Sequence, residues 1–328
     1  MTSRLRPSTI LLLLLFAGFA AVPFAATALE QPFWIPFFAR ILIYAIAASA
    51  LNLALGHGGL VSFGHALFIG LGSYAVALPA FHGIDSGWAH LGICLGVSAL
   101  VAGAVGAISL RTSGMAFIMI TLAFAQMGYF LLVSLKQYGG DDGLPVAATS
   151  RFGSLDLGAP LPLYATALAV LALVTGWLAK LRVAPFGMAL RGARQNARRI
   201  NAIGLEARRL QWLAFVVSGA LCGLSGLLLA NLNAYASPSS MAWTVSGELI
   251  VMVVLGGIGT VAGPIVGALV FLGLEEVLKG MTDHWMLVFG PLIVLVALLG
   301  RRGIAGLVDL WPAGQRAVPS AVAIERSA

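Results

Sequence analysis

The sequence predicts an all-α integral membrane protein, a polytopic bundle of about ten transmembrane helices, and three observations predict it. Only 9% of the 328 residues are charged, against roughly a quarter in soluble domains, so the chain has too few polar groups to cover a water-facing surface. Hydrophobic residues make up 60% and the mean hydropathy is +0.98. Apolar stretches recur along the chain, each set off by a short polar or glycine-rich connection. A bilayer core of ~30 Å, which takes ~20 apolar residues per helix, imposes that pattern.

The first stretch, 10–29, follows Arg4 and Arg6 and ends in "ATA" at 26–28. It is long enough to span, and its basic head, leucine run and small-residue end also fit a cleavable signal peptide. Further spans are expected near 33–55, 66–81, 88–110, 114–135, 161–179 and 210–230. The remainder, 241–300, holds two spans, or three if "GGIGTVAGP" (256–264) breaks the first. Lys and Arg concentrate in short cytoplasmic loops, and that rule arbitrates. With Arg4 and Arg6 inside, the connection 82–87 is external and lacks Lys and Arg; Arg111 is internal and 136–160 external. The arginine-rich 180–209 is then internal and the uncharged 231–240 external. Only three spans within 241–300 return Arg301 and Arg302 to the inside. The expectation is ten spans with both termini cytoplasmic, in one transmembrane domain over 1–328. Its core is 30–305, with a cytoplasmic loop at 180–209 and a cytoplasmic tail at 306–328.

Charges inside spans are costly, at ~2.5–3.5 kcal/mol near a helix centre. Arg40 lies toward the outer end of its span and is read as a snorkelling structural residue. Glu248 is nearer the middle of its span, and either finds a partner inside the bundle or serves a polar pathway. Cys94 and Cys222 sit in apolar runs and read as small core residues. His57 and His65 lack a third ligand, so no metal site and no cofactor is expected. The net charge of +7 comes from basic residues beside the spans, which orient the chain; nucleic acid is not an expected partner.

Two stretches align without gaps at an offset of 200, "LGHGGLVSFG" (55–64) and "LGGIGTVAGP" (255–264), with Leu, Gly, Gly and Val coinciding at four of ten positions. Each ends a span running from outside to inside, the pattern of a parallel internal repeat. Gly56, Gly58 and Gly59 cannot sustain a helix, and backbone groups freed by a break cannot face lipid. Such breaks at matching places point to a translocation pathway. Candidate residues are Gly56, His57, Gly58, Gly59, Ser62 and Gly64, with Gly256, Gly257 and Gly259 in the second stretch and Glu248. The competing reading is that these glycines only permit tight helix crossings.

The segment 191–209, "RGARQNARRINAIGLEARR", holds six arginines and one acid, more than orientation requires. The stretch "FGMALRGARQNARRINAIG" (186–204) reads as one helix with Arg191, Arg194 and Arg198 on one face, Ala193, Ala197 and Ile200 on a neighbouring stripe, and Gly204 as its stop, before a second segment leading into the 210–230 span. A lipid-binding helix would carry bulky apolar residues; alanines and Ile200 suit a protein groove better. The chain has three lysines, Lys136, Lys180 and Lys279, none after a glycine. A G-x-x-x-x-G-K-[ST] phosphate loop is therefore absent from it, and energy from ATP would have to come from another polypeptide.

"GHGGLVSFGHALFIGLGSYAVAL" (56–78), "YGGDDGL" (138–144), the arginine segment and "LAFVVSGALCGLSGLLLA…SGELIVMVVLGGIGTVAGPIVGALV" (213–270) follow in order. Over roughly 40–305 this combination resembles the LivM-type membrane subunits of ATP-binding-cassette importers for branched-chain amino acids. The resemblance implies a non-enzymatic permease in a bacterial inner membrane, working with a homologous second permease, two ATPases and a periplasmic solute-binding protein. It implies that 185–209 seats on the ATPase through Arg191, Arg194, Asn196, Arg198, Ile200 and Gly204. Gln195 stands where the family usually carries an acid. The external Asp141 and Asp142 could meet the binding protein or serve a local turn. A reading from another class is a stand-alone channel or secondary carrier for a small solute such as urea or an amide. A membrane-bound enzyme lacks a paired acid–base constellation in any span.

Overall fold

The computed structural model describes residues 7–153 and 155–281, and beyond them 284, 286–291, 294, 303 and 304. Arg4, Arg6, Arg301, Arg302 and 306–328, which carried part of the topology argument, lie outside the described residues.

The apolar stretches are helices: α1 (Pro7–Ala28), α2 (Trp34–Asn52), α3 (His65–Phe81), α4 (Gly87–Ser109), α5 (Met115–Ser134) and α6 (Pro160–Val183). The arginine segment forms α7 (Pro185–Gln195) and α8 (Ala197–Ala202), and α9 (Ala207–Asn233) follows it. The ambiguous 241–300 begins with α10 (Trp243–Gly256) and α11 (Gly263–Met281), separated at 257–262, and 286–291 is helical again. Among the described residues six helices are long and apolar enough to cross a membrane. Two others are short: α3 has 17 residues and α10 has 14, a rise of roughly 26 and 21 Å. Each abuts a glycine break, so the helix is cut where the chain turns non-helical.

Burial does not follow hydropathy. In α2, 83% of the most apolar window is buried inside the protein, against 11% in the still more apolar α1. The centre is α9, which packs on α2, α3 and α4. Glycine makes the α3–α9 crossing possible: a Cβ on Gly72 would lie 1.9 Å from the Gly223 carbonyl oxygen, and one on Gly226 equally close to that of Ile69. Small residues at these positions let the two backbones approach.

At the end of the bundle away from the arginines, two short ladders order the connections. β1 (Leu144–Pro145) pairs antiparallel with β4 (Tyr235–Ala236), and β2 (Arg151–Phe152) with β3 (Leu155–Asp156). The Gly158 N–H and the Thr149 hydroxyl donate to Asp156. Together with Arg151 they hold its carboxyl below the usual carboxylate range.

Candidate functional site: two helix breaks and the arginine segment

After Asn52, α2 widens into a π-turn over Leu53–His57 and then runs non-helically to Gly64. The Gly58 N–H reaches back to the Leu53 carbonyl at 3.2 Å and the Leu60 N–H to that of Ala54 at 3.0 Å, so part of the freed backbone finds local partners. Gly59 turns the chain with φ +72°, a conformation glycine adopts without strain. In the second break Gly257 and Gly259 also have positive φ. Thr260 closes it: its hydroxyl donates to the Gly257 carbonyl and accepts from the Gly263 N–H, starting α11.

The two breaks touch. The Asn52 amide donates to the Thr260 carbonyl at 2.8 Å, and its oxygen accepts the Gly259 N–H at 2.8 Å. A Cβ on Gly56 would sit 2.2 Å from the Asn52 amide oxygen and 2.6 Å from the Gly259 nitrogen. One side chain thus answers a donor and an acceptor of a break about two hundred residues away, and only glycine at 56 lets the backbones approach. In hydrocarbon these groups would otherwise stay unpaired.

The first break is also gripped from its arginine side. The Arg194 guanidinium donates to the Gly56 carbonyl, and the Gln211 amide to that of Gly58 at 3.2 Å. The Arg194 stem lies so close that a Cβ on Gly59 would be 2.8 Å from it. Two carbonyls released by the break are thereby satisfied by α7 and α9.

The remaining pathway candidates are mostly enclosed. Gly56, His57, Gly58, Ser62, Gly64, Gly256 and Gly257 are buried, Gly259 is half-buried and Gly59 exposed. Ser62 accepts the Gly64 N–H at 3.1 Å. His57 Nδ1 is 3.3 Å from the Asn52 carbonyl, and its Nε2 is buried without a hydrogen bond. His65 belongs to the core: the Ser218 hydroxyl donates to the Ala50 carbonyl, so His65 Nε2 donates to Ser218 at 2.8 Å. No metal-holding cluster occurs among the described residues.

The arginine segment corrects one expectation. It is not a single helix but α7 and α8, bent at Asn196, whose backbone is extended (φ −156°, ψ 97°). The Asn196 side chain accepts the Arg199 N–H at 3.2 Å, capping a new helix, and that bond competes with continuing the old one. Arg191 and Arg194, three apart in α7, keep a common side, but Arg198 in α8 leaves it. Arg191 donates to the Arg182 carbonyl at 2.7 Å and closes the turn between α6 and α7. Arg194 reaches the break, while Arg198 is exposed. Ile200 folds toward Gly192, where a Cβ would be 2.7 Å from its tip, and Gly204 ends α8 at φ +85°. Met188, Arg198, Arg199, Ile203 and Leu205 form the exposed surface, with Ile203 at 70%.

Asp141 and Asp142 are exposed near the other end, Asp141 accepting from the Tyr129 hydroxyl at 3.3 Å. Glu248 is half-buried within electrostatic reach of Arg40, Glu275 and Lys279. Arg40, expected to snorkel alone, lies 3.9 Å from Glu275 and over the Tyr44 ring; Lys279 pairs with Glu275 at 2.5 Å. Sequence reasoning missed Glu275 and Lys279, although their i, i+4 spacing on an apolar helix was a signal. It also missed Asn52 and Gln211, a lone amide ahead of the glycines and one just past the arginines.

The family model described as "Branched-chain amino acid transport system / permease component" matches residues 35–297. The high-affinity branched-chain amino acid transport system permease protein LivM of Escherichia coli is 27% identical over 292 residues, covering 80% of this chain and 68% of that protein. LivH of the same organism is 27% identical over 286 residues, covering 80% and 91%. BraD of Pseudomonas aeruginosa is 25% identical over 287 residues with the same coverage.

Proposed function

The chain belongs to the family of branched-chain amino acid transport permease components, and from that premise we propose that it is the membrane-spanning subunit of an ATP-binding-cassette importer passing branched-chain amino acids, or a related small polar solute, inward. It sits in a bacterial inner membrane with the arginine end in the cytoplasm. There α7 and α8 seat on a separate ATPase, two of which serve this chain and a homologous second permease. The opposite end, with Asp141 and Asp142, receives a periplasmic binding protein.

The observation that carries this reading is the grip of α7 on the first break: Arg194 on the Gly56 carbonyl, with Asn52 joining Gly56's turn to Gly259. A displacement of α7 by a partner cannot stay local, because the breaks of α2 and of the α10–α11 pair are tied to it. The exposed Arg198, Arg199 and Ile203 meet the ATPase; Arg194 transmits. In proteoliposomes with its partners, Arg194→Leu should keep co-purifying with the ATPase yet lose most ATP-driven uptake. Arg198→Glu with Arg199→Glu should lose the ATPase itself. If both variants bind the ATPase and transport at wild-type rate, the coupling role is wrong. The charged group of Arg40, Glu248, Glu275 and Lys279 is what an ion-coupled carrier would need; uptake that persists without ATP and the ATPase would favour that second reading.

A further inference from the structure

A cleft of about 240 Å³ lies between the end of α4 and the start of α9, beyond α7, α8 and the two helix breaks. Arg111, Arg208 and Arg209 line it over a floor of Gly106, Leu110 and Trp212. The floor is fixed: the Trp212 indole N–H donates to the Gly103 carbonyl at 2.9 Å, and a Cβ on Gly106 would crowd that ring at 3.2 Å. Arg209 pairs with the exposed Glu206 at 2.7 Å. Among the described residues neither Arg111 nor Arg208 has an acidic partner within salt-bridge distance. The cleft thus gathers three guanidinium groups against one carboxylate.

Its surroundings choose between anions. From the cleft an exposed apolar ridge climbs α4 through Ile108, Ala104, Leu100 and Val97, spaced three and four apart on one helix face. The site is therefore basic at its mouth and apolar along one continuous side. A free phosphate would use only the first part, and an acidic peptide would leave a greasy ridge uncovered. Guanidinium groups bind phosphate oxygens in paired geometry, and basic pockets between transmembrane helices hold lipid headgroups.

We infer that this cleft is a binding site for an anionic phospholipid, its phosphodiester among Arg111, Arg208 and Arg209 and one acyl chain along the α4 ridge. The inference needs the chain to lie in a membrane but does not depend on what it transports. It gives the arginines at 208 and 209 a role separate from those at 191–199: they hold the start of α9, the central helix, at a fixed depth.

The test uses the full chain in nanodiscs, with lipid retention read by native mass spectrometry. Phosphatidylglycerol should be retained over phosphatidylcholine, and Arg111→Gln with Arg208→Gln should weaken that preference roughly ten-fold or more, since each near-surface cation contributes measurably. Arg198→Gln with Arg199→Gln, the same charge change elsewhere, should leave it intact. Should the double variant fail to fold, Arg208→Gln alone, an exposed side chain, should still give a several-fold loss. Equal retention of the two lipids by the wild type overturns the proposal, and so does an equal loss in the control variant. Displacement of the lipid by millimolar inorganic phosphate would make the site a free-anion site. Loss of ATPase co-purification in the Arg111/Arg208 variant would make it a protein interface.

Discussion

α2, α10 and α11 hold one another at two places, and the two are built from opposite materials. At the arginine end the contact is backbone against backbone, with Asn52 bridging Gly259 and Thr260 by two neutral hydrogen bonds of 2.8 Å. In the other half it is made of long charged side chains, Arg40 at 3.9 Å from Glu275 and Glu248 at longer range still. The difference teaches what each can tolerate. Hydrogen bonds between buried groups lose their value within a few tenths of an ångström, so the first contact fixes a distance. Coulomb attraction falls off slowly, so the second allows the helices to slide. A hinge at the arginine end and a slack tether opposite is the mechanical reading.

The comparison breaks most visibly at Asn52. Asn52→Leu keeps the branched shape, with slightly bulkier methyl groups, but leaves the Gly259 N–H and the Thr260 carbonyl unpaired, at about 1–3 kcal/mol each. Thermal unfolding of the purified chain in detergent should drop sharply, and Asn52→Asp, which retains the acceptor, should fall between. An unchanged Asn52→Leu midpoint would mean that water replaces the amide. Gly56→Ala comes next, at about 1–3 kcal/mol for overpacking. Gly96→Ala in α4, where a Cβ meets nothing within 4 Å, should be neutral or slightly stabilising. Equal effects of these two glycine variants would count against the tight junction.

The charged side is expected to be softer. Glu275→Gln removes the carboxylate shared by Arg40 and Lys279 and should cost about 1–2 kcal/mol, partly because Arg40 is 42% exposed and can turn to solvent. Glu248→Gln should cost less than about 1 kcal/mol, since among the described residues it has no direct ion pair to lose. Melting curves of the two variants rank them. If Glu248→Gln proved the more damaging, the slack-tether picture would fail and the glutamate would have to serve a pathway instead.

How much of this could be read from the residues differs between depth and neighbourhood. Span positions were legible because hydrocarbon demands apolar side chains, and the break at 257–262 because glycine does not sustain a helix. Which face of a span packs on which neighbour was not legible, because lipid and protein interior are equally apolar. The bare α1 and the buried α2 therefore read alike. Polar residues inside spans were the exception, and they were underused: Asn52 and Glu275 each mark a contact with another helix. At 191–204 periodicity misled, since the 3.6-residue pattern ran on through Asn196 while a capping side chain redirected the backbone.

The Asn52–Gly259 bridge also has a history within each molecule's synthesis. Its partners are 207 residues apart, and a ribosome adding about 5–20 residues per second needs roughly 10–40 s to make the second after the first. For that interval the π-turn after α2 is already in the membrane with its amide side chain unanswered and no α10–α11 hairpin to meet it. The early half of the chain must therefore wait in an unfinished state, sheltered by water, lipid headgroups or an insertion factor. The junction between the two breaks therefore cannot close before "GGIGT" has been made, however early the first spans insert.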